Sequence, residues 1–190
     1  KVINVLGCGV MGRQISALLT CLNYDVHIFD RSINEKKKKL LGLSQKILAR
    51  KFNLKCDFSD VKFINNIEDI QSGLVYETVA ENLDVKRGLI EKLDFEIEKG
   101  KLLTNSSSFL PSEIHPNAVG FHFFNPIHVI KLVEFSTQFS ENNEELDLLI
   151  SGLEEKLKFD VVKVKENRGY IGNYILFHEI SNALKLIDVY

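Results

Sequence analysis

The sequence predicts an α/β fold, a doubly wound and mainly parallel sheet followed by a C-terminal helix. Three observations support that expectation. Apolar runs of strand length alternate along the chain with stretches of helical periodicity, the pattern of a parallel sheet covered on both faces. A glycine-rich turn joins the first of those runs to the first helix. The composition, 45% hydrophobic and 26% charged over 190 residues, suits one substantial core and is short for two full domains.

The largely apolar run 2–6 reads as a buried strand, followed by a helix over 10–22 and a second short strand at 26–29. A long charged helix is expected over 33–51, because Leu40, Leu41, Leu43, Ile47 and Leu48 recur at three- and four-residue spacing. Further strands are expected at 61–64, 74–79, 102–104, 119–124, 132–135 and 161–164, with helices at 83–98, 144–158 and 170–189. No internal repeat or Gly/Ser linker interrupts the chain, so residues 1–165 read as one unit and 166–190 as a terminal helical segment.

Composition also narrows the function. Lys and Arg number 24 against 26 Asp and Glu, a net charge of −2 with a pI near 6.2, so no basic footprint for nucleic acid or an anionic membrane is expected. No uninterrupted apolar stretch reaches the ~18 residues of a membrane span, and no charged-then-apolar leader opens the chain. A soluble protein of the cytoplasm is expected, or of the mitochondrial matrix in a eukaryote. Position 1 is Lys and the single Met is Met11, so the natural start is expected to have been trimmed or to be unordered. Cys8, Cys21 and Cys56 are an odd, scattered set without a CxxC, which points to reduced thiols.

Glycines and prolines cluster. Three of the eleven glycines lie in residues 7–12, all three prolines lie in 111–126, and His115, His122 and His128 fall in or beside that second window. Gly7-Cys8-Gly9-Val10-Met11-Gly12 is a GxGxxG placed after a strand and opening a helix. Gly7 permits the tight turn, Gly9 lets a pyrophosphate approach the backbone, and Gly12 lets the helix pack closely on the sheet. The anion would rest on unpaired N–H groups at the helix N-terminus, making Gly7, Gly9, Val10, Met11 and Gly12 the candidate cofactor cradle. Asp30 ends the second strand 18 residues after Gly12, where an acid binds the ribose hydroxyls of an adenosine and repels a 2′-phosphate. NAD is therefore the expected cofactor of a Rossmann-type domain. Arg31 beside it is a cation within reach of such a phosphate.

The second window holds an acid–base pair. In Gly120-Phe121-His122-Phe123-Phe124-Asn125-Pro126, strand alternation puts His122 on the face opposite Phe121 and Phe123. Twelve residues on, Lys131-Leu132-Val133-Glu134-Phe135 embeds one carboxylate in an apolar strand, which is costly unless something pairs with it. His122 is the natural partner. The expectation is an oriented imidazole whose pKa the carboxylate raises, placed to take a proton from an alcohol.

These motifs, with Glu81-Asn82-Leu83, Lys86 and Asn105-Ser106-Ser107-Ser108-Phe109, resemble L-3-hydroxyacyl-CoA dehydrogenases in order and spacing over essentially the whole chain. The resemblance implies that His122 abstracts the 3-hydroxyl proton while hydride leaves C3 for the nicotinamide. It implies that Glu134 orients His122, that Ser107 bonds near the substrate hydroxyl and nicotinamide, and that Asn173 fixes the substrate carbonyl. Asn125 looks like the carboxamide contact, with Glu81 and Lys86 beside the cofactor ribose. Simpler readings exist for single residues: Ser107 as a helix cap, Lys86 as a solvated helix residue, Asn125 as a turn residue before Pro126. Three positions depart from the family pattern. Tyr174 stands where Arg usually follows the Asn173 position, Ile130 replaces a Met, and Arg168 replaces a Pro.

In similar enzymes a helical hairpin after the second strand contacts coenzyme A. Lys36–Lys39 point all round a helix and read as solvated; of the further cations Lys46, Arg50, Lys51 and Lys55, the first three lie nearer the turn and are better placed for phosphates. The last helix is apolar over most of its circumference apart from a polar stripe at 178, 181, 182, 185 and 188, so it expects burial on several sides. By resemblance it opens a helical C-terminal domain, truncated or missing here, that supplies a homodimer interface. The leading expectation is an NAD-dependent dehydrogenase of L-3-hydroxyacyl-CoA. Two others stand beside it: a non-catalytic or incomplete NAD-binding module, and a related hydroxy-acid dehydrogenase that does not use CoA.

Overall fold

The computed structural model describes residues 1–54, 61–137 and 143–187. Lys55, Cys56 and Asp188, singled out above, lie outside them. Strand β1 (Val2–Leu6) runs through the glycine turn into α1 (Val10–Cys21), and β2 (Asp25–Phe29) returns beside β1. Helix α2 (Glu35–Phe52) starts where the Asn34 side chain accepts from the Lys37 N–H and stops at Asn53 in the left-handed conformation, a favoured helix end. Next come β3 (Val61–Ile64), a 3-10 turn at Ile67–Asp69, and β4 (Leu74–Glu77). Helix α3 (Leu83–Ile90) is capped by Asn82 and is followed by β5 (Leu102–Thr104) and the short α4 (Pro111–Ile114). The chain closes with β6 (Ala118–Phe123), β7 (Leu132–Ser136), α5 (Glu144–Ser151), β8 (Asp160–Val164) and α6 (Tyr170–Ile187).

Among the described residues one sheet takes eight strands in the order β3-β2-β1-β4-β5-β6-β7-β8. Every neighbouring pair is parallel except β6–β7, so the doubly wound, mainly parallel sheet is as the sequence predicts. The strand order reverses between β1 and β4, the crevice where such sheets bind ligands. Alternation sorts the core into two layers. Ile3, Val5, Tyr76, Leu103, Phe121 and Phe123 pack on one face with Ile15 and Leu18 of α1, while Leu6, Val75, Leu102 and Ala118 pack on the other with Ile90.

The short α4 forms where no helix is expected, and three further elements differ from expectation. Helix α3 ends at Ile90 rather than 98, because the chain tightens through Lys92 N–H to Leu89 O and Leu93 N–H to Ile90 O. Leu93 and Ile97 then bury in the second layer without a helix, so the helical spacing there reports burial only. Helix α5 gives way at Gly152–Lys156 to a π-helical turn, short of the 158 end expected. Where the resemblance implies a helical hairpin, α2 ends at Phe52 and β3 begins at Val61, so the described residues hold a single helix.

Cys8 is free and buried, but Cys21, expected as a reduced thiol, is disulfide-bonded. Sequence spacing does not report the Cα separation on which pairing depends. No described helix is long and apolar enough to cross a membrane. Helix α6 does not bury itself in this chain: Tyr170 is its one buried residue, while Tyr174, Phe177, Leu184 and Ile187 stand more than half exposed.

Candidate functional site

The glycine turn is built as a cradle. Gly7 adopts φ +101°, and its N–H donates to Phe29 O at 2.8 Å, tying the turn to the end of β2. A Cβ on Gly12 would stand 2.1 Å from the Gly7 carbonyl oxygen, so only glycine lets α1 start so close to the turn. At Gly9 the same test finds no atom within 4 Å, and α1 has no side-chain cap. Open backbone faces a cavity of about 770 Å³ lined by Gly7, Gly9, Val10, Met11, Asp30 and Val79 among others. Uncapped N–H groups beside open space fit a dinucleotide pyrophosphate.

Asp30 stands at the cavity edge. Its Oδ2 accepts from the Cys8 N–H at 2.7 Å, and its Oδ1 accepts from Lys37 Nζ at 2.6 Å and from the Ser32 N–H and Oγ at 2.8 and 3.1 Å. Burial works to raise the carboxyl, yet the Lys37 bond and the two backbone amides outweigh it and hold the pKa below the usual range. Lys37 therefore departs from the solvated reading of Lys36–Lys39: the turn before α2 folds its ammonium back onto Asp30. Lys46, Arg50 and Lys51 are exposed along α2.

At the other end of the site, β6 and β7 place His122 and Glu134 as direct cross-strand partners. His122 Nδ1 lies 3.5 Å from Glu134 Oε2, both residues are buried, and among the described residues neither atom has another hydrogen-bond partner. The other carboxylate oxygen, Oε1, accepts from the N–H groups of Ile171 and Gly172 at 2.9 Å each, in the first turn of α6. An acid at a helix N-terminus meets its unpaired amides and positive dipole end. Tyr170 stacks on the His122 ring at 4.7 Å and 6°, and Phe124 meets its edge at 4.7 Å and 73°. One sequence expectation is corrected here. Burial lowers the His122 pKa and outweighs the upward pull of Glu134 and Glu81, so the imidazole is neutral rather than raised toward the charged form.

The serine loop after β5 hangs on Glu81. Its Oε1 accepts from Ser106 Oγ at 2.6 Å and from the N–H groups of Ser107 and Ser108 at 3.1 and 2.8 Å. Arg168 donates to Ser108 O at 3.0 Å and pairs with Glu113, so the residue that departs from the family's Pro clamps the same loop. Gly169, at φ +79°, seats the next turn against it: a Cβ there would lie 3.7 Å from Asn173 Cβ and 3.9 Å from Ser107 O. Ser107, Asn173, His122 and Glu134 thus gather around the start of α6. Tyr174, another of the three departures, is exposed and stacks on His178.

Asn125 stands apart from that group, exposed beyond β6, where its Oδ1 accepts from Gln14 Nε2 of α1 at 2.9 Å. Gln14 Oε1 in turn takes the Ile127 N–H at 2.9 Å. Lys86 is neither solvated nor open to the cavity. It is 1% exposed, with Nζ 2.8 and 2.9 Å from the two oxygens of Glu77 and 3.2 Å from Glu81 Oε2. Thr104 Oγ1 completes this cluster on Glu77 at 2.6 Å. Sequence reasoning missed Glu77, Lys37, Gln14 and Tyr170. Only Glu77 had a signal, a lone acid ending an apolar strand.

Comparison with known proteins is consistent with this geometry. The family described as 3-hydroxyacyl-CoA dehydrogenase, NAD binding domain, matches residues 2–167. The chain is 27% identical over 199 residues to a probable 3-hydroxybutyryl-CoA dehydrogenase of Bacillus subtilis, covering 97% of this chain and 69% of that protein. Its identity to the human mitochondrial hydroxyacyl-coenzyme A dehydrogenase is 28% over 209 residues, covering 99% and 66%. Among solved structures, Mycobacterium tuberculosis FadB2 superposes with a TM-score of 0.82 at 20% identity, covering 98% of this chain and 71% of that one. The (S)-3-hydroxybutyryl-CoA dehydrogenase PaaH1 of Ralstonia eutropha gives 0.75 at 23% identity, covering 92% and 67%. At those identities the likeness shows the fold. The chain spans about two thirds of the length of these relatives.

Proposed function

The chain belongs to the 3-hydroxyacyl-CoA dehydrogenase family through its NAD binding domain, and from that premise we propose that it interconverts an L-3-hydroxyacyl-CoA and its 3-ketoacyl-CoA. NAD, when bound, would supply the hydride acceptor for C3. The residues of this chain manage the proton and the geometry. His122, neutral in its buried setting, accepts the 3-hydroxyl proton. Glu134, held by two amides of α6, keeps the ring turned with Nδ1 toward its carboxylate and stabilises the imidazolium once the proton has arrived. Ser107 and Asn173 position the substrate oxygens. Asn125 is assigned to the nicotinamide carboxamide, and Glu81 to the cofactor ribose, with Lys86 acting through Glu81.

The His122–Glu134 pair is the observation that supports this reading most. A buried base and acid with no other partner for the facing atoms among the described residues is costly as architecture alone and useful for moving a proton. The test is titration with NADH, then NADH oxidation on adding acetoacetyl-CoA. His122→Ala is expected to cost about two to four orders of magnitude in kcat; a loss below tenfold would place the base elsewhere. NADH binding without turnover would favour the non-catalytic module.

A second reading rests on the single helix that the described residues hold between β2 and β3, where the resemblance implies a hairpin for coenzyme A. It makes the chain a hydroxy-acid dehydrogenase that does not use CoA, and oxidation of free 3-hydroxybutyrate would support it. Residues 1–165 are proposed as the cofactor domain and 166–190 as the start of a helical one. The exposed apolar face of α6 is proposed to pair in a homodimer, a prospect that sedimentation of wild type against Phe177→Lys decides.

A further inference from the structure

Asp30 ends β2 at the rim of the glycine-turn cavity, where a bare carboxylate takes ribose hydroxyls and repels a ribose phosphate. In this chain the carboxylate is not bare. Lys37 Nζ sits 2.6 Å from Oδ1, with the two side chains only 23% and 12% exposed. The same ammonium bonds Ser32 Oγ at 2.9 Å. Arg31, Ser32 and Lys37 line the cavity together with Asp30. The adenosine end therefore sets two cations and a hydroxyl against one acid.

Resting on the dinucleotide-binding reading of this site, we propose that Lys37 is a specificity-determining residue: it masks Asp30 and, with Arg31 and Ser32, seats a phosphate on the adenosine ribose, so that the chain binds NADP(H) as well as NAD(H). An ammonium has three donors, of which Asp30 and Ser32 engage two, and one is left for a phosphate oxygen. Its flexible stem lets the charge follow the ligand. Removing it acts twice on a phosphorylated ribose, by withdrawing an attraction and by uncovering the Asp30 charge. On an unphosphorylated ribose the effects oppose, since a freed carboxylate gains the hydroxyls.

The test uses this chain and needs no turnover. NADH and NADPH are titrated by fluorescence against wild type, Lys37→Met, which keeps the stem, and Lys37→Arg, which keeps the charge. Wild type is expected to bind the two within about tenfold, and Lys37→Met to weaken NADPH by about tenfold while NADH moves less than about threefold. Lys37→Arg is expected to retain NADPH. Adenosine 2′,5′-bisphosphate and adenosine 3′,5′-bisphosphate serve as competitors, because coenzyme A bears the 3′-phosphate; the 2′ isomer is the one expected to lose affinity in Lys37→Met. An unchanged NADPH-to-NADH ratio in Lys37→Met, or a response confined to the 3′ isomer, overturns the proposal. Failure of wild type to bind NADH overturns the dinucleotide reading itself.

Discussion

His122 Nδ1 faces Glu134 Oε2 at 3.5 Å across the antiparallel β6–β7 pairing, while the other oxygen of Glu134 is tied to α6. The acid thereby joins three elements and has one oxygen left for the base. Glu134→Gln keeps the shape but can turn an amide N–H toward His122, favouring the wrong tautomer. It is expected to lower kcat by about one to two orders of magnitude, with NADH affinity, read by fluorescence, little changed. An equal loss in NADH binding would show that Glu134 acts on the fold instead.

The pH dependence follows from burial. His122 binds its proton more weakly folded than unfolded, so the acid limb of kcat/KM for hydroxyacyl oxidation is expected below the ordinary histidine value of about 6.5. Stability has the same sign. The contribution of a neutral His122 is complete above about pH 6.5 and is lost as pH falls through its lowered folded value. Glu134→Gln, lacking the charge that pulls the pKa up, should move the acid limb further down. A limb above pH 7 in wild type would mean that the carboxylate, not burial, dominates.

Glu77 and Lys86 form an ion pair at 0% and 1% exposure, so each is expensive to leave alone. Lys86→Ala is expected to cost about 3–5 kcal/mol of stability, measured by urea unfolding. The double change Glu77→Leu with Lys86→Met should recover most of that loss. If Lys86→Ala unfolds like wild type, water or a shifted side chain is meeting the Glu77 charge.

Two glycines of one turn should separate binding from folding. A Cβ at Gly9 meets open space, so Gly9→Ala is expected to unfold within about 0.5 kcal/mol of wild type yet bind NADH at least about tenfold more weakly. Gly12→Ala drives a methyl into the Gly7 carbonyl and is expected to lose both stability and binding. Calorimetry on both variants checks the contrast, and equal NADH affinity in Gly9→Ala and wild type would remove the cofactor from the turn.

Much of the fold is legible because it is written locally. Period-two alternation puts His122 opposite Phe121 and Phe123, and the structure keeps it there, with those two phenylalanines in one core layer. Legibility fails where one pattern has two causes. The spacing of Ile90, Leu93 and Ile97 reads as helix, but only burial is real past Ile90. In α6 the apolar pattern is genuine, but among the described residues most of that surface is left uncovered.

The sequence by itself determined the order of strands and helices, the glycine turn, and which face of β6 bears its histidine, because each depends on neighbours within a few residues. Tertiary structure alone decided that Lys37 neutralises Asp30, that Lys86 is sealed against Glu77, that α6 anchors Glu134, and that His122 is held neutral. Those outcomes turn on distance and burial between segments far apart in the chain. Charge and desolvation act through space, and no local period records them.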